Sequence, residues 1–115
     1  MTPVIIFDKA GRPVAAFGSP GGNSIVAYVA KTIVGWVDWK LPLQDAVNLP
    51  NVVARGATVS VEKGMDPVIV EALKARGLPV HPDAGEASGL NGVVLHPRRF
   101  ETAVDPRREA VALSY

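Results

Sequence analysis

Val14-Ala15-Ala16-Phe17-Gly18-Ser19-Pro20-Gly21-Gly22-Asn23-Ser24 carries the chain out of an apolar run, through a turn, and into an apolar stretch that continues to Trp39. This is the pattern of a strand end, a tight turn and a helix start. Gly21 and Gly22 carry no side chain, so a ligand atom can approach their backbone amides closely. Amides at a helix start lack intrahelical acceptors and sit at the positive end of the helix dipole. The pair suits an oxyanion, whether a bound anion or a developing tetrahedral intermediate. The competing reading is a turn that uses glycine only for its dihedral angles.

Two nucleotide-binding readings fail on the residues. A Walker loop needs Gly-Lys-Ser/Thr at the helix start, whereas Asn23-Ser24 follows Gly22. Glycines at 18, 21 and 22 do not make the dinucleotide pattern G-x-G-x-x-G.

Working outward, Pro3–Phe7 and Pro13–Phe17 are short apolar runs joined by Asp8-Lys9-Ala10-Gly11-Arg12. They read as a β-hairpin whose turn takes a left-handed residue at Gly11. Both strands are apolar on both faces, which predicts a sheet covered on both sides. A helix follows over Ser24–Trp39, capped by Asn23 or Ser24. It contains Lys31 and Asp38 and falls short of the roughly 20 apolar residues that a membrane span needs. It is therefore read as packed on more than one side against protein. A short helix over Leu43–Asn48 stops near Pro50.

The alternation of Thr58–Glu62 predicts a strand. Asp66-Pro67 marks a helix start, with an N-cap followed by proline at the first helical position, and Gly77 ends that helix. Pro79-Val80-His81 reads as a short edge strand and Asp83–Ser88 as a polar loop. Gly92–His96 and Phe100–Val104 form a second hairpin around Pro97-Arg98-Arg99. The order ββ-α-α-β-α-β-ββ is mixed α/β of the α+β type, with mainly antiparallel strands and three helices.

At 115 residues the chain is long enough for one small domain, and a 48% apolar content gives it a packed core. A net charge of +1 gives no broad electrostatic case for nucleic acid or an anionic membrane. The chain has no cysteine, which excludes a disulfide framework and thiolate metal sites and leaves the compartment, cytoplasmic or periplasmic, undecided. His81 and His96 lack metal-ligand spacing, so no metal and no cofactor is expected. Asp45, beside Gln44 in the short helix, reads as solvated or capping. The pairs Arg98-Arg99 and Arg107-Arg108 read as solvated turns, because no aromatic platform interleaves with them. Asp105 and Arg107 read as structural: the aspartate caps a turn while the arginine contacts a carboxylate or carbonyls.

Ordered along the chain, Met1-Thr2-Pro3-Val4-Ile5-Ile6-Phe7-Asp8, Gly11-Arg12-Pro13-Val14, Gly18-Ser19-Pro20-Gly21-Gly22, Leu43-Gln44-Asp45-Ala46-Val47-Asn48-Leu49-Pro50, Val61-Glu62-Lys63-Gly64, Leu73-Lys74-Ala75-Arg76-Gly77 and Ala103-Val104-Asp105-Pro106-Arg107-Arg108 with Tyr115 resemble the γ-glutamyltransferase family. Single pieces are unspecific, but the ordered set spans essentially the whole chain. The resemblance implies an N-terminal-nucleophile hydrolase, made as a precursor that cuts itself into two subunits. Its fold is a four-layer αββα sandwich with two central antiparallel sheets. It also implies that residues 1–115 are the C-terminal part of the small subunit. The threonine nucleophile, and two serines before the Met-x-Pro, then lie upstream of Met1. Gly89-Leu90-Asn91-Gly92 departs from the Gly-x-x-Gln pattern of many members, with Asn91 taking over part of its hydrogen bonding, as in a divergent branch.

By the same resemblance Gly21 and Gly22 are the oxyanion hole for acyl transfer from a γ-glutamyl compound such as glutathione to water or an amino acid. The chain alone is expected to be inactive, because a nucleophile and base are lacking. Its expected partners are the remaining portion of the precursor, a γ-glutamyl substrate when complete, and further copies of itself when alone, since a cut sandwich exposes apolar surface and sheet edges. The alternative is a free-standing truncated protein that binds or assembles without catalysis. A third reading makes Ser19 a local nucleophile, but no motif places a histidine base beside it.

Overall fold

The computed structural model describes residues 3–84 and 88–113. Its elements are β1 (Val4–Phe7), β2 (Pro13–Gly18), a 3-10 turn (Gly22–Ser24), α1 (Ile25–Val37), α2 (Leu43–Asn48), β3 (Val52–Arg55), β4 (Thr58–Glu62), α3 (Pro67–Ala75), β5 (Val80–Ala84), β6 (Asn91–His96) and β7 (Arg99–Val104). They fall into two compact units, Met1–Leu49 with Ala87–Tyr115, and Pro50–Glu86.

The first unit is built on an antiparallel sheet of order β1-β2-β6-β7. Alternation sends Ala15 and Phe17 of β2, Val94 of β6 and Ala103 of β7 into one core with Ile25 and Val29 of α1 and Leu43 and Val47 of α2. Trp36 of α1 meets Phe17 edge-on, with centroids 5.7 Å apart at 64°. Hydrogen bonds pin α2 to β7. The Leu43 amide donates to Glu101 Oε1 at 2.7 Å. Gln44 donates to the Val104 carbonyl at 2.9 Å and accepts the Val104 amide at 3.2 Å.

The second unit is a sheet of order β3-β4-β5, antiparallel between β3 and β4 and parallel between β4 and β5. Val59 and Val61 of β4 pack with Val70 of α3, and Met65, Leu73 and Val80 border them. Asp66 caps α3 as its spacing predicts, accepting the Val68 amide at 2.8 Å.

The structure differs from four expectations. Strand β3 was not foreseen in the sequence: four residues are too few to show alternation. Its signal is the two-residue loop Gly56-Ala57, where Gly56 has φ 57. Strand β5 is longer than the predicted edge strand and takes Asp83 and Ala84 from the predicted polar loop, whose residues 85–87 lie outside the described residues. The first sheet is not covered on both sides within this chain. Val4 and Ile6 pack on the core, while Ile5 and Phe7 on the opposite face are more than half exposed. The long helix is also shorter at both ends than Ser24–Trp39.

Leu43 is fully buried, so Leu43→Ala is expected to cost about 2–5 kcal/mol. Asp66→Ala, which removes one exposed cap, is expected to cost only about 1 kcal/mol. Urea unfolding of the two variants checks the ranking.

Candidate active site

Strand β2 ends at Gly18, and the next four residues turn the chain into α1. Gly21 has φ 134 and ψ 18, and Gly22 has φ 57, so both occupy backbone space that favours glycine. A methyl on Gly21 would lie 2.5 Å from Cε2 of buried Tyr28, so this position is closed by sterics as well. A methyl on Gly22 would meet nothing within 4 Å. The Gly21 carbonyl accepts the Ser24 amide at 3.2 Å. Among the described residues, neither the Gly21 nor the Gly22 amide donates to a protein acceptor.

Ser19 lies wholly buried beneath this turn. Its hydroxyl donates to the Pro20 carbonyl at 2.7 Å and accepts the Gly89 amide at 3.2 Å. Gly89 belongs to the stretch Ser88-Gly89-Leu90, which is itself buried. A methyl on Gly89 would lie 2.6 Å from Arg108 Cδ and 3.0 Å from Pro20 Cγ.

That stretch hangs from Asp105, a 2% exposed carboxylate at the end of β7. Asp105 Oδ2 accepts the Ser88 hydroxyl at 2.7 Å and the Leu90 amide at 3.3 Å. Asp105 Oδ1 accepts the Arg107 amide and Nη1, both at 3.0 Å. The Asp105 amide donates back to the Leu90 carbonyl at 2.8 Å. Burial pushes this carboxyl up, but the Ser88 hydroxyl, the Arg107 amide and guanidinium, and the Leu90 amide outweigh it and leave it below its ordinary value.

Arg107 also reaches the carbonyls that end α2, with Nη2 donating to Leu49 at 3.1 Å. Lys31 of α1 donates to the Val47 and Leu49 carbonyls at 2.8 and 2.7 Å. Two cations thus meet the negative end of α2, where the last carbonyls have no helical donors. At its other end Glu101 accepts the Leu43 amide and contacts His96 Nε2 at 2.9 Å. The Leu43 amide first, and then the His96 ring, hold the Glu101 carboxyl below its ordinary value against the opposing push of burial.

The structure therefore joins Gly21 and Gly22 to Asp105 and Arg107 through Ser19, Gly89 and Ser88. Asn91 touches this path at one point, donating to the Gly89 carbonyl at 3.2 Å. His81 is exposed in the other unit, Asp45 is exposed on α2, and Arg98 and Arg99 are exposed at the β6–β7 turn. Among the described residues no group of metal-ligating side chains converges. No described helix is long and apolar enough to cross a membrane. Ser19 is a poor nucleophile: its proton is committed to the Pro20 carbonyl, and among the described residues no base is bonded to it. Ser88, Lys31 and Glu101 are contributors that the sequence reading missed. The bonds that tie them to Asp105, to the end of α2 and to Leu43 span 16 or more residues, and no local pattern marks them. An open, almost wholly apolar concavity of about 480 Å³ adjoins the start of the turn, lined by Val4, Phe17, Gly18, Asn91 and Gly92 among others.

The sequence model of the family described as gamma-glutamyltranspeptidase matches residues 1–115. Acylase ACY 1 proenzyme of Pseudomonas sp. (strain SE83) is 32% identical over 97 residues, covering 84% of this chain and 17% of that protein. Glutathione hydrolase proenzyme of Escherichia coli (strain K12) is 33% identical over 109 residues, covering 93% of this chain and 19% of that protein. The chain thus spans less than a fifth of the length of either relative. Gamma-glutamyltranspeptidase from Pseudomonas nitroreducens, solved with L-DON, shares the fold with a TM-score of 0.85 at 24% identity, over 98% of this chain and 61% of that one. The mainly antiparallel α+β class with three helices agrees with this likeness.

Asp105→Ala is expected to cost about 3–5 kcal/mol at neutral pH, because it removes from a buried site the acceptor shared by the Ser88 hydroxyl, the Leu90 amide and the Arg107 amide and guanidinium. The folded-state pKa of Asp105 lies below the ordinary 3.8, so its stabilising contribution is complete above 3.8 and is lost as pH falls through the depressed value. Urea midpoints measured between neutral pH and about pH 2 should fall less steeply for Asp105→Asn than for the unsubstituted protein.

Proposed function

Because the chain belongs to the gamma-glutamyltranspeptidase family, we propose that it supplies the oxyanion-binding part of an acyl-transfer site. The observation that carries this reading is the pair of positive-φ glycine amides at the head of α1, neither donating to a described protein acceptor. The donor is a γ-glutamyl amide. The attacking hydroxyl is the family's threonine, supplied by another part of the complete protein. Attack on the amide carbonyl places negative charge on its oxygen, where Gly21 and Gly22 donate. The threonine proton passes through the threonine's own amine to the leaving nitrogen as the C–N bond breaks. Water or an amino acid then takes the acyl group from the ester, and the threonine regains its proton.

On this reading residues 1–115 act as one structural portion of a larger enzyme, and the chain alone lacks activity. Two features support that view. Its relatives are five or more times longer than the matched segment. One face of the first sheet leaves Ile5, Phe7 and Phe100 more than half exposed, an apolar surface suited to the second sheet of an αββα sandwich.

The acylase relatives favour a second donor class. Acylase ACY 1 proenzyme is matched about as well as the glutathione hydrolase, and an N-acyl amide would place its developing charge at the same amides. Turnover of a γ-glutamyl anilide against a simple N-acyl anilide separates the two classes.

Exchanging Gly22 for glycolic acid, which replaces its N–H with an ester oxygen, is the sharper test of the donors, since alanine would keep the amide and its methyl meets no neighbour. In the complete enzyme the exchange is expected to lower kcat roughly 10²–10³-fold with KM little changed. An unaltered kcat would remove the Gly22 amide from the chemistry.

A further inference from the structure

Ser19 has no part in the acyl transfer just described, yet it is wholly buried and uses its hydroxyl both as donor and as acceptor. Its acceptor is the carbonyl of Pro20. That carbonyl and the Gly21 amide are two ends of a single peptide unit, planar and trans, so they point in opposite directions. Whatever fixes the Pro20 oxygen also fixes the direction of the Gly21 N–H. The chain needs such a device here, because glycine at φ 134 has wide freedom and the peptide before it could rotate.

We propose that Ser19 is a positioning residue, which aims the Gly21 amide by holding the far end of its peptide. This inference rests on the oxyanion reading of Gly21 and Gly22. The Gly89 amide enters the same hydroxyl at 3.2 Å, so the serine proton is directed away from it and toward the Pro20 oxygen. Gly89 is in turn held between Pro20 and Arg108, with no room for a side chain, and its flanking residues hang from Asp105. A serine that merely satisfied its own hydroxyl locally would not need the amide of a residue 70 positions away. The Pro20–Gly21 peptide is thus gripped at its carbonyl by a hydroxyl that is itself anchored on the loop before β6. Preorganised donors stabilise a transition state because their orientation is set before charge develops.

Steady-state kinetics of the complete enzyme on a γ-glutamyl anilide test this. Ser19→Ala should lower kcat about 10–100-fold with KM within about twofold, because an amide that is free to turn is lost only in the transition state. Ser19→Thr keeps the hydroxyl and should restore kcat to within a few-fold. Should Ser19→Ala fail to fold, Ser19→Cys keeps the side chain's shape at a slightly larger volume while weakening both hydrogen bonds, and its kcat should fall between those of Thr and Ala. Combining Ser19→Ala with the glycolic-acid exchange at position 22 should give less than the product of the two effects, since both act on one pair of donors. An unchanged kcat in Ser19→Ala or Ser19→Cys overturns the inference, even if the thermal midpoint drops. The glycolic-acid exchange at position 22, made alone, distinguishes the layers. If it lowers kcat while Ser19→Ala does not, only the positioning role fails; if it leaves kcat unchanged, the oxyanion reading itself fails.

Discussion

The carboxylate of Asp105 ties the stretch before β6 to Arg107 and, through Arg107, to the end of α2. It is 2% exposed and accepts from Ser88, Leu90 and Arg107 at once. A buried carboxylate with fewer partners would cost several kcal/mol or give up its charge. On one side the carboxylate suspends Ser88-Gly89-Leu90, and Gly89 carries the order on to Ser19 and the glycine turn. On the other side it orients Arg107, whose guanidinium meets the closing carbonyls of α2 together with Lys31. One buried charge therefore links the last strand, the short helix and the turn at the head of α1.

That linkage explains why α2 is so heavily fastened for a helix of six residues. Helices this short are unstable alone and exist by tertiary contact. Its start is capped by Glu101, its first turn is paired with Val104 through Gln44, and its end is met by two cations. Leu43 and Val47, both fully buried, bring the core beneath it. Fixing α2 fixes the support on which α1 packs, and the head of α1 is where the glycine amides emerge. Placing those amides thus draws on the core of the unit as well as on the turn.

Much of this fold is legible in the residues. Period-two alternation, Gly11 at a left-handed turn, the Asp66-Pro67 start and the helical pattern over Leu43–Asn48 all predict elements that the structure contains. Local signals fail where the controlling contact is remote or the element is short. Strand β3 has four residues and one glycine loop to announce it. Asp105 and Arg107 stand out in the sequence, but their companions Ser88, Lys31 and Glu101 do not: a serine in a polar loop or a lysine in a helix shows its partner only after folding. Ser19 is visible in the glycine turn, whereas the direction of its hydroxyl bond depends on Gly89, far along the chain.

On the proposed reading the Gly21 and Gly22 amides converge on one developing oxygen, and the loop that hangs from Asp105 holds them ready. A crystal structure of the complete enzyme with a covalent tetrahedral analogue at its nucleophile tests this most directly. The expected result is an analogue oxygen about 2.7–3.1 Å from both amide nitrogens, with the Pro20 carbonyl still bonded to Ser19. An oxygen directed to other donors, with both glycine amides facing solvent, would contradict it.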